Sequence, residues 1–310
     1  MRIVFMGTPD FAVPSLIALH NNGYDVCSVV AQPDRPKGRG NKLVAPPIKI
    51  AALELGIEVY QPEKIKSPEF VKLLSEIKPD AIIVVAFGQI LSKEILDIPA
   101  LGCINVHASL LPKLRGAAPI NWSIINGDEI TGITTMYMDI GLDTGDILLK
   151  REVKIGKDMN AKELHDKLSD IGAEVLVRTL EAISSGKALR TKQNHEEATY
   201  APILVKNTGK IDWSWDSKRI NNLIRGTYPW PGAFSYYDGE MFKIFSAKTI
   251  DEEKANAEHG KIMKINKDSI VVSCGKGFLS ISEIQFENQR KMDVEAYLRG
   301  HSIELNTYLG

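Results

Sequence analysis

Ile3-Val4-Phe5-Met6-Gly7-Thr8-Pro9-Asp10-Phe11 reads as a strand, a tight turn and the start of a helix, and it decides the fold class of the first half of the chain. Four consecutive apolar residues suit a strand covered on both faces. Gly7 and Pro9 then interrupt it, and apolar residues return at helical spacing over residues 11–22. The alternation repeats. Apolar runs at 26–31, 81–86 and 102–106 predict strands, while 48–55, 69–77 and 161–184 predict helices with one apolar face. Alternating strands and helices build β-α-β units, so the expectation is an α/β fold: a Rossmann-like open, parallel-rich sheet with helices on both faces. The first turn holds one of the three glycines of a dinucleotide fingerprint, which argues against a nicotinamide enzyme. It still sits at the carboxyl end of a parallel strand, where such sheets place ligands.

After about residue 185 the pattern changes. A chain of 310 residues is comfortable for two domains, and the expected division is a catalytic domain at 1–188, a polar linker at 189–205 and a second domain at 206–310. Short strands at 211–213, 241–247, 260–265, 269–273 and 278–284, with helices at 217–225 and 293–298, suggest a small β-barrel or sandwich, and a small OB-like β-barrel is the expectation.

A hydrophobic share of 44% and a charged share of 25% belong to an ordinary globular chain, and a net charge of −1 argues against a general nucleic-acid coat. A local basic patch stays compatible with it. No apolar run reaches membrane-span length and the N-terminus reads as a strand rather than a leader, so a cytoplasmic location without membrane partners is expected. Cys27, Cys103 and Cys274 lie far apart in apolar surroundings, which predicts reduced buried thiols rather than disulfides or a metal site; no metal is expected.

The chemistry concentrates further along. In Asn105-Val106-His107 the i, i+2 spacing sets two hydrogen-bonding side chains on one face at a strand's end. A loop rich in Gly and Pro follows, through Ala108-Ser109-Leu110-Leu111-Pro112 and Arg115-Gly116-Ala117-Ala118-Pro119-Ile120. After a strand at 132–137, a second Gly-rich loop, Asp139-Ile140-Gly141-Leu142-Asp143-Thr144-Gly145-Asp146, carries three carboxylates without the spacing of a calcium loop. Turn formation accounts for some of them, and at least one is expected to face the site.

These three segments, in this order, resemble the folate-dependent formyltransferases, and most closely those acting on methionyl-tRNA. The resemblance covers essentially the whole chain. It implies that Asn105, His107 and Asp143 form the active site and that 10-formyltetrahydrofolate is the donor. Ser109, Leu110, Leu111 and Pro112, the segment Phe87-Gly88-Gln89-Ile90, and Asp139 and Gly141 would help hold that folate. Asn105 and a protonated His107 could donate to the oxyanion formed when an amine attacks the formyl carbon. A group titrating near neutrality suits the proton passing between the two nitrogens, and a paired Asp143 would orient the imidazole. At Ser92 the family pattern has a proline, which bears on the local turn.

The most basic stretch, residues 32–43, matches the loop that these relatives insert into the acceptor end of tRNA. Arg35, Lys37, Arg39 and Lys42 are carried over as tRNA contacts, and Lys206, Lys210 and Arg225 of the second domain are added as phosphate contacts. Tyr228 and Trp230, in an aromatic, proline-rich turn, could pack locally or stack on bases. The expected partner is charged initiator methionyl-tRNA, and the expected state a monomer. A formyltransferase for a small amine, a hydrolase releasing formate, and a non-catalytic RNA-binding protein are the rivals. The small-amine enzyme has little use for the basic loop, and the RNA-binding protein has none for Asn105, His107 and Asp143.

Overall fold

The computed structural model describes residues 1–37, 42–250 and 258–310. In it, β1 (Arg2–Gly7) is buried along its whole length after Arg2. It leads through the expected turn to α1 (Val13–Asn21), β2 (Asp25–Val30) and the hairpin β3 (Arg35–Lys37) and β4 (Lys42–Val44). There follow α2 (Pro47–Glu54), β5 (Val59–Tyr60), α3 (Pro68–Ile77), β6 (Ala81–Val85), α4 (Lys93–Leu96) and β7 (Cys103–His107). Beyond α5 (Pro119–Ile125) lie β8 (Ile130–Tyr137), β9 (Ile147–Lys154) and the long α6 (Ala161–Ser184).

Two compact units result, and no single cut separates them. The first takes Met1–Pro119, Ile130–Lys154 and His165–Ala201; the second takes Ile120–Glu129, Ile155–Leu164 and Pro202–Gly310.

The first unit is built on a seven-stranded sheet in the order β5-β2-β1-β6-β7-β8-β9. Its strands from β5 to β7 are all parallel, and β8 and β9 add antiparallel to β7. Helices cover both faces. On one, α3 starts where the Ser67 hydroxyl accepts from the Phe70 N–H and Pro68 takes the first turn. Phe70 and Leu74, four residues apart, then bury against Val4, Met6, Ile82, Val84 and Cys103. Truncating Leu74 to alanine there should cost about 2–5 kcal/mol. On the opposite face, α6 sets Gly172 over Val106 and Ile133, and the Thr179 hydroxyl hydrogen-bonds that of Thr135 at 2.8 Å. Asn105 pairs with Val84 in register and so shares the α3 face, whereas Val106 shares that of α6. The outer strand β9 is mostly exposed and carries Lys150, Arg151, Glu152 and Lys154. That charge hides its strand character from a reading based on apolar runs.

The stretch expected as a linker at 189–205 is divided: residues up to Ala201 belong to the first unit. Thr191 and Ile147 exchange both backbone hydrogen bonds, the Arg115 N–H donates to the Thr199 carbonyl at 2.8 Å, and the Arg115 carbonyl accepts from the Ala201 N–H at 2.7 Å. Polar residues read as solvated are here the partners of loop backbone that needs satisfying.

The second unit contains α7 (Ser217–Gly226), β10 (Ala233–Tyr237), β11 (Glu240–Ile250), β12 (Ile262–Ile265), β13 (Ile270–Ser273), β14 (Phe278–Phe286), β15 (Met292–Asp293) and α8 (Val294–Leu298). Its antiparallel sheet runs β10-β11-β14-β13-β12, with β15 on β14, around a core that includes Phe242, Ile244, Leu279, Ile281 and Phe286. Asp216 caps α7, which inserts Ile220, Leu223 and Ile224 into the same core. The strand expected at 211–213 is absent. Ile211 and Trp213 are buried anchors instead: the Ile211 N–H reaches the Phe234 carbonyl at 2.9 Å, and the Trp213 indole donates to the Ser235 hydroxyl at 2.9 Å. Their neighbour β10 went unread because Pro229, Pro231 and Gly232 mark the segment as a turn.

Candidate active site

The carboxyl ends of β1, β6 and β7 form one edge of the first unit's sheet, where α/β folds place their ligands. β7 brings Asn105 and His107 to this edge on the same face, flanking the buried Val106. The Asn105 side chain makes no hydrogen bond with the described residues and is part-exposed, so both amide donors remain for a ligand. His107 is only 7% exposed, and its ring is fixed from two sides. Nε2 lies 3.0 Å from the Leu114 carbonyl, which can only accept, so Nε2 carries a hydrogen. Nδ1 then faces the Asp143 carboxylate, with Oδ2 at 3.7 Å. That separation is too long for a hydrogen bond and within ion-pair range, the slack expected of a site that tightens around its substrate.

Asp143 reaches this position from the loop after β8. The Gly116 N–H donates to its Oδ2 at 2.7 Å. Gly116 has φ +113°, and a side chain there would press on the Ala201 carbonyl, so the residue that holds the carboxylate must be glycine. Asp143 itself stands in the left-handed region at φ +54°, as do Leu114 at +58° and Ala86 at +48°. Each such conformation costs of order 1 kcal/mol or more and persists where surrounding bonds enforce it. Two of the three residues touch His107 directly.

The other carboxylates of the loop have local duties. Asp139 Oδ1 accepts from the Gly141 N–H at 3.0 Å and the Thr144 hydroxyl at 2.5 Å, bracing the turn that presents Asp143. Asp146 takes the Arg190 guanidinium at 3.0 Å. The residues expected to hold folate fall into two groups. Ser109, Leu111 and Phe87 are buried, and the Ser109 hydroxyl donates to the Lys113 carbonyl at 2.6 Å. Gly88, Ile90 and Gly141 are exposed, with Leu110, Pro112 and Gln89 part-exposed. Gln89 Oε1 accepts from the Ile65 N–H at 2.9 Å. Phe87 offers its carbonyl to the Thr8 hydroxyl at 2.8 Å and the Gln32 amide at 3.3 Å, tying the β1 turn to the segment after β6.

The basic hairpin β3–β4 stands on a charged base. Lys49 Nζ holds both Asp34 oxygens at 2.9 Å and the Gln61 amide donates to Oδ1 at 2.7 Å. Those bonds, Gln61's first and Lys49's next, keep the Asp34 carboxyl below the ordinary carboxylate range. Arg35 and Lys42 are exposed on the two strands, which pair Lys37 with Lys42. Arg39 lies outside the described residues. In the second unit Lys206 and Lys210 are exposed. Arg225 is turned inward: it donates to the Met159 carbonyl at 2.7 Å and to Asn222 Oδ1 at 2.6 Å, its Nε is buried, and burial lowers its pKa. That leaves it poorly placed for a phosphate. Tyr228 packs edge-on against Phe245, whereas Trp230 is 54% exposed. Among the described residues no helix is long and apolar enough to cross a membrane, and no cluster of His, Cys, Asp and Glu is set to hold a metal.

Sequence reasoning missed Leu114 and Gly116 as parts of the site, because both act through backbone atoms. It also missed the buried pair Arg115 and Gln193, which no spacing pattern announces.

A family model described as formyl transferase matches residues 1–180, and one described as formyl transferase, C-terminal domain, matches residues 203–302. Proteins named methionyl-tRNA formyltransferase from Acetivibrio thermocellus and Caldanaerobacter subterraneus subsp. tengcongensis are 54% and 56% identical over 310 residues, covering 100% of both chains in each case. Among solved structures, the sugar 3N-formyl transferase WlaRD, crystallised with dTDP and 5-N-formyl-THF, matches with TM-score 0.69 at 20% identity over 94% of this chain and 99% of that one. An N-formyltransferase from Helicobacter canadensis, in complex with folinic acid and dTDP-3-aminofucose, matches with TM-score 0.66 at 19% identity, again over 94% and 99%. At such identities the likeness speaks for the fold alone.

Proposed function

The chain belongs to the formyl transferase family, and from that premise we propose that it transfers the formyl group of 10-formyltetrahydrofolate to the free amino group of initiator methionyl-tRNA. The product is N-formylmethionyl-tRNA, which serves translation initiation, so the enzyme works in the cytoplasm, and we take it to act as a monomer. The full-length likeness to proteins of that name supports the acceptor. The observation that carries the chemistry is the His107–Asp143 pair at 3.7 Å beside an Asn105 amide with free donors.

Their roles follow from what each atom can do. The neutral amine attacks the formyl carbon, and the carbonyl oxygen becomes an oxyanion. Asn105 donates to that oxygen from a fixed strand, a contribution of order 3 kcal/mol for a preorganised donor. His107 cannot spare its Nε2 hydrogen, which Leu114 holds, so Nδ1 is the nitrogen that exchanges a proton at the site. Asp143 faces that nitrogen and balances its charge when it is protonated. As the tetrahedral intermediate collapses, the proton released by the amine is returned to the folate nitrogen, whose bond to the formyl carbon breaks. Exposed Gly88, Ile90 and Gly141 with part-exposed Leu110 and Pro112 offer the folate its surface, and exposed Arg35 and Lys42, with Lys37 and Arg39 of the same basic stretch, serve as the contacts of the tRNA phosphates.

The test is to incubate the purified protein with 10-formyltetrahydrofolate and methionine-charged initiator tRNA, and to measure formyl-methionine on the tRNA beside uncharged tRNA and small amines. Formylation confined to the charged tRNA is expected. Transfer only to a small amine such as an amino sugar, or release of formate alone, would keep the folate site and overturn the acceptor.

A further inference from the structure

Gln193 lies in a polar stretch without periodicity, yet its side chain is 7% exposed and every polar atom of it is engaged. Nε2 donates to the carbonyls of Asp143 and Gly145, both at 2.8 Å. Oε1 receives Arg115 Nη2 at 2.6 Å and Nε at 3.2 Å. Two acceptors on one side and a guanidinium on the other leave a single sensible orientation for the amide, since the flipped one would oppose oxygen to oxygen and donor to donor.

Arg115 is the second half of the device. It is 2% exposed, and among the described residues the partners of its guanidinium are Gln193 Oε1 and, at 3.1 Å, His195 Nδ1, neither of them a carboxylate. An Arg buried without a counter-ion is costly to keep for packing alone. The next residue, Gly116, is the one whose N–H holds the Asp143 carboxylate. Asp143 is thus gripped at both ends: Gly116 fixes the side chain, Gln193 fixes the backbone carbonyl, and Arg115 joins the two grips. A residue at φ +54° needs such a hold to stay in place.

We propose that Gln193 is a positioning residue for the reaction, which acts through Arg115 and the carbonyls of Asp143 and Gly145 to keep the Asp143 carboxylate opposite His107 Nδ1. The proposal rests on the reading that Asp143 and His107 carry out formyl transfer. Gln193 reaches the loop of Asp143 and not the surfaces offered to folate or tRNA, so its removal should act on turnover before binding.

Two variants test it, each assayed for formyl transfer over ranges of donor and tRNA concentration that reach saturation and normalised to folded protein by circular dichroism. Gln193→Leu removes both donors, and a misplacement of the carboxylate by about 1 Å should lower kcat of the order of 10- to 100-fold while KM for donor and tRNA stays within about threefold. Gln193→Glu keeps the acceptor for Arg115 but turns an ionised oxygen toward two carbonyls. Protonated, it can donate to one of them again, so its kcat relative to the unaltered enzyme should climb as pH falls, whereas the ratio for Gln193→Leu stays flat. Loss of thermal stability alone, with kcat per folded molecule within about twofold in Gln193→Leu, would overturn the role. Should Gln193→Leu fail to fold, a flat pH ratio for Gln193→Glu would do the same. An unaltered protein without formyl transfer would instead sink the reading of the site on which the proposal rests.

Discussion

The loop that carries Asp143 and the hairpin that carries Arg35 and Lys42 belong to the same unit and are built in opposite ways. Around Asp143, two carbonyls, one carboxylate oxygen and a buried guanidinium are held by hydrogen bonds within the protein. Among the described residues the hairpin is tied at its foot through Asp34, Lys49 and Gln61, the Arg35 guanidinium donates to Gln32 Oε1 at 3.3 Å, and Arg35 and Lys42 stand exposed. Chemistry needs atoms held to within a fraction of an ångström, and phosphate attraction needs only charge within a few ångströms. The contrast therefore separates the groups expected to set turnover from those expected to set tRNA affinity.

The largest effects fall on the rigid side. His107→Ala or Asn105→Ala should lower kcat by about 100-fold or more with tRNA binding near normal, since each removes a donor used in the transition state. Turnover and binding reduced in equal measure would erase the distinction between the two regions. On the exposed side, charge reversal at Arg35 or Lys42 should leave kcat near its normal value, raise KM for tRNA and reduce the salt slope of binding by about one for each phosphate no longer neutralised. A salt slope that does not move would take the hairpin out of the interface.

A smaller effect tests the foot of the hairpin. Asp34 has its pKa lowered by Gln61 and Lys49, so the bonds contribute stability above the ordinary carboxylate value of 3.8 and lose it as pH falls through the lower folded value. Lys49→Met should accordingly lower the melting temperature at neutral pH, and the difference from the unaltered protein should shrink below about pH 4. A difference constant down to acid pH would mean that Lys49 acts by packing. The smallest effect is chemical. Burial pushes the thiols of Cys103 and Cys274 up to about 12, so neither should react with iodoacetamide at neutral pH until the protein unfolds.

Much of this was open to a reader of the sequence. Strands covered on both faces announce themselves as unbroken apolar runs, which is why β1, β2, β6 and β7 stand within a residue of where Ile3, Val26, Ala81 and Gly102 place them. The helix α6 keeps one periodicity over its whole length and has the bounds that periodicity predicts. Where a strand lies at an edge or an element is held by polar contacts, the signal fades: β9 is charged, β10 hides behind prolines, and the 190–201 segment looks solvated while bonding Arg115 and Ile147. The site divides along the same line. Asn105 and His107 show in the sequence by their spacing at a strand's end, and the resemblance to the formyltransferases singles Asp143 out from Asp139 and Asp146. Leu114 and Gly116 serve through a carbonyl and an N–H, which every residue has, and a backbone contribution leaves no mark on composition.

The placement of β9 carries a further consequence. A sheet of parallel strands ends in two open margins, each able to template the strand of another molecule. Here the last strand offers Lys150, Arg151, Glu152 and Lys154 to any newcomer, and Thr191 already occupies the backbone groups of Ile147. A neighbouring copy that tried to extend the sheet would have to strip water from Lys150, Glu152 and Lys154 and draw Arg151 away from Glu174 for a short ladder, so the charge on this margin opposes such pairing.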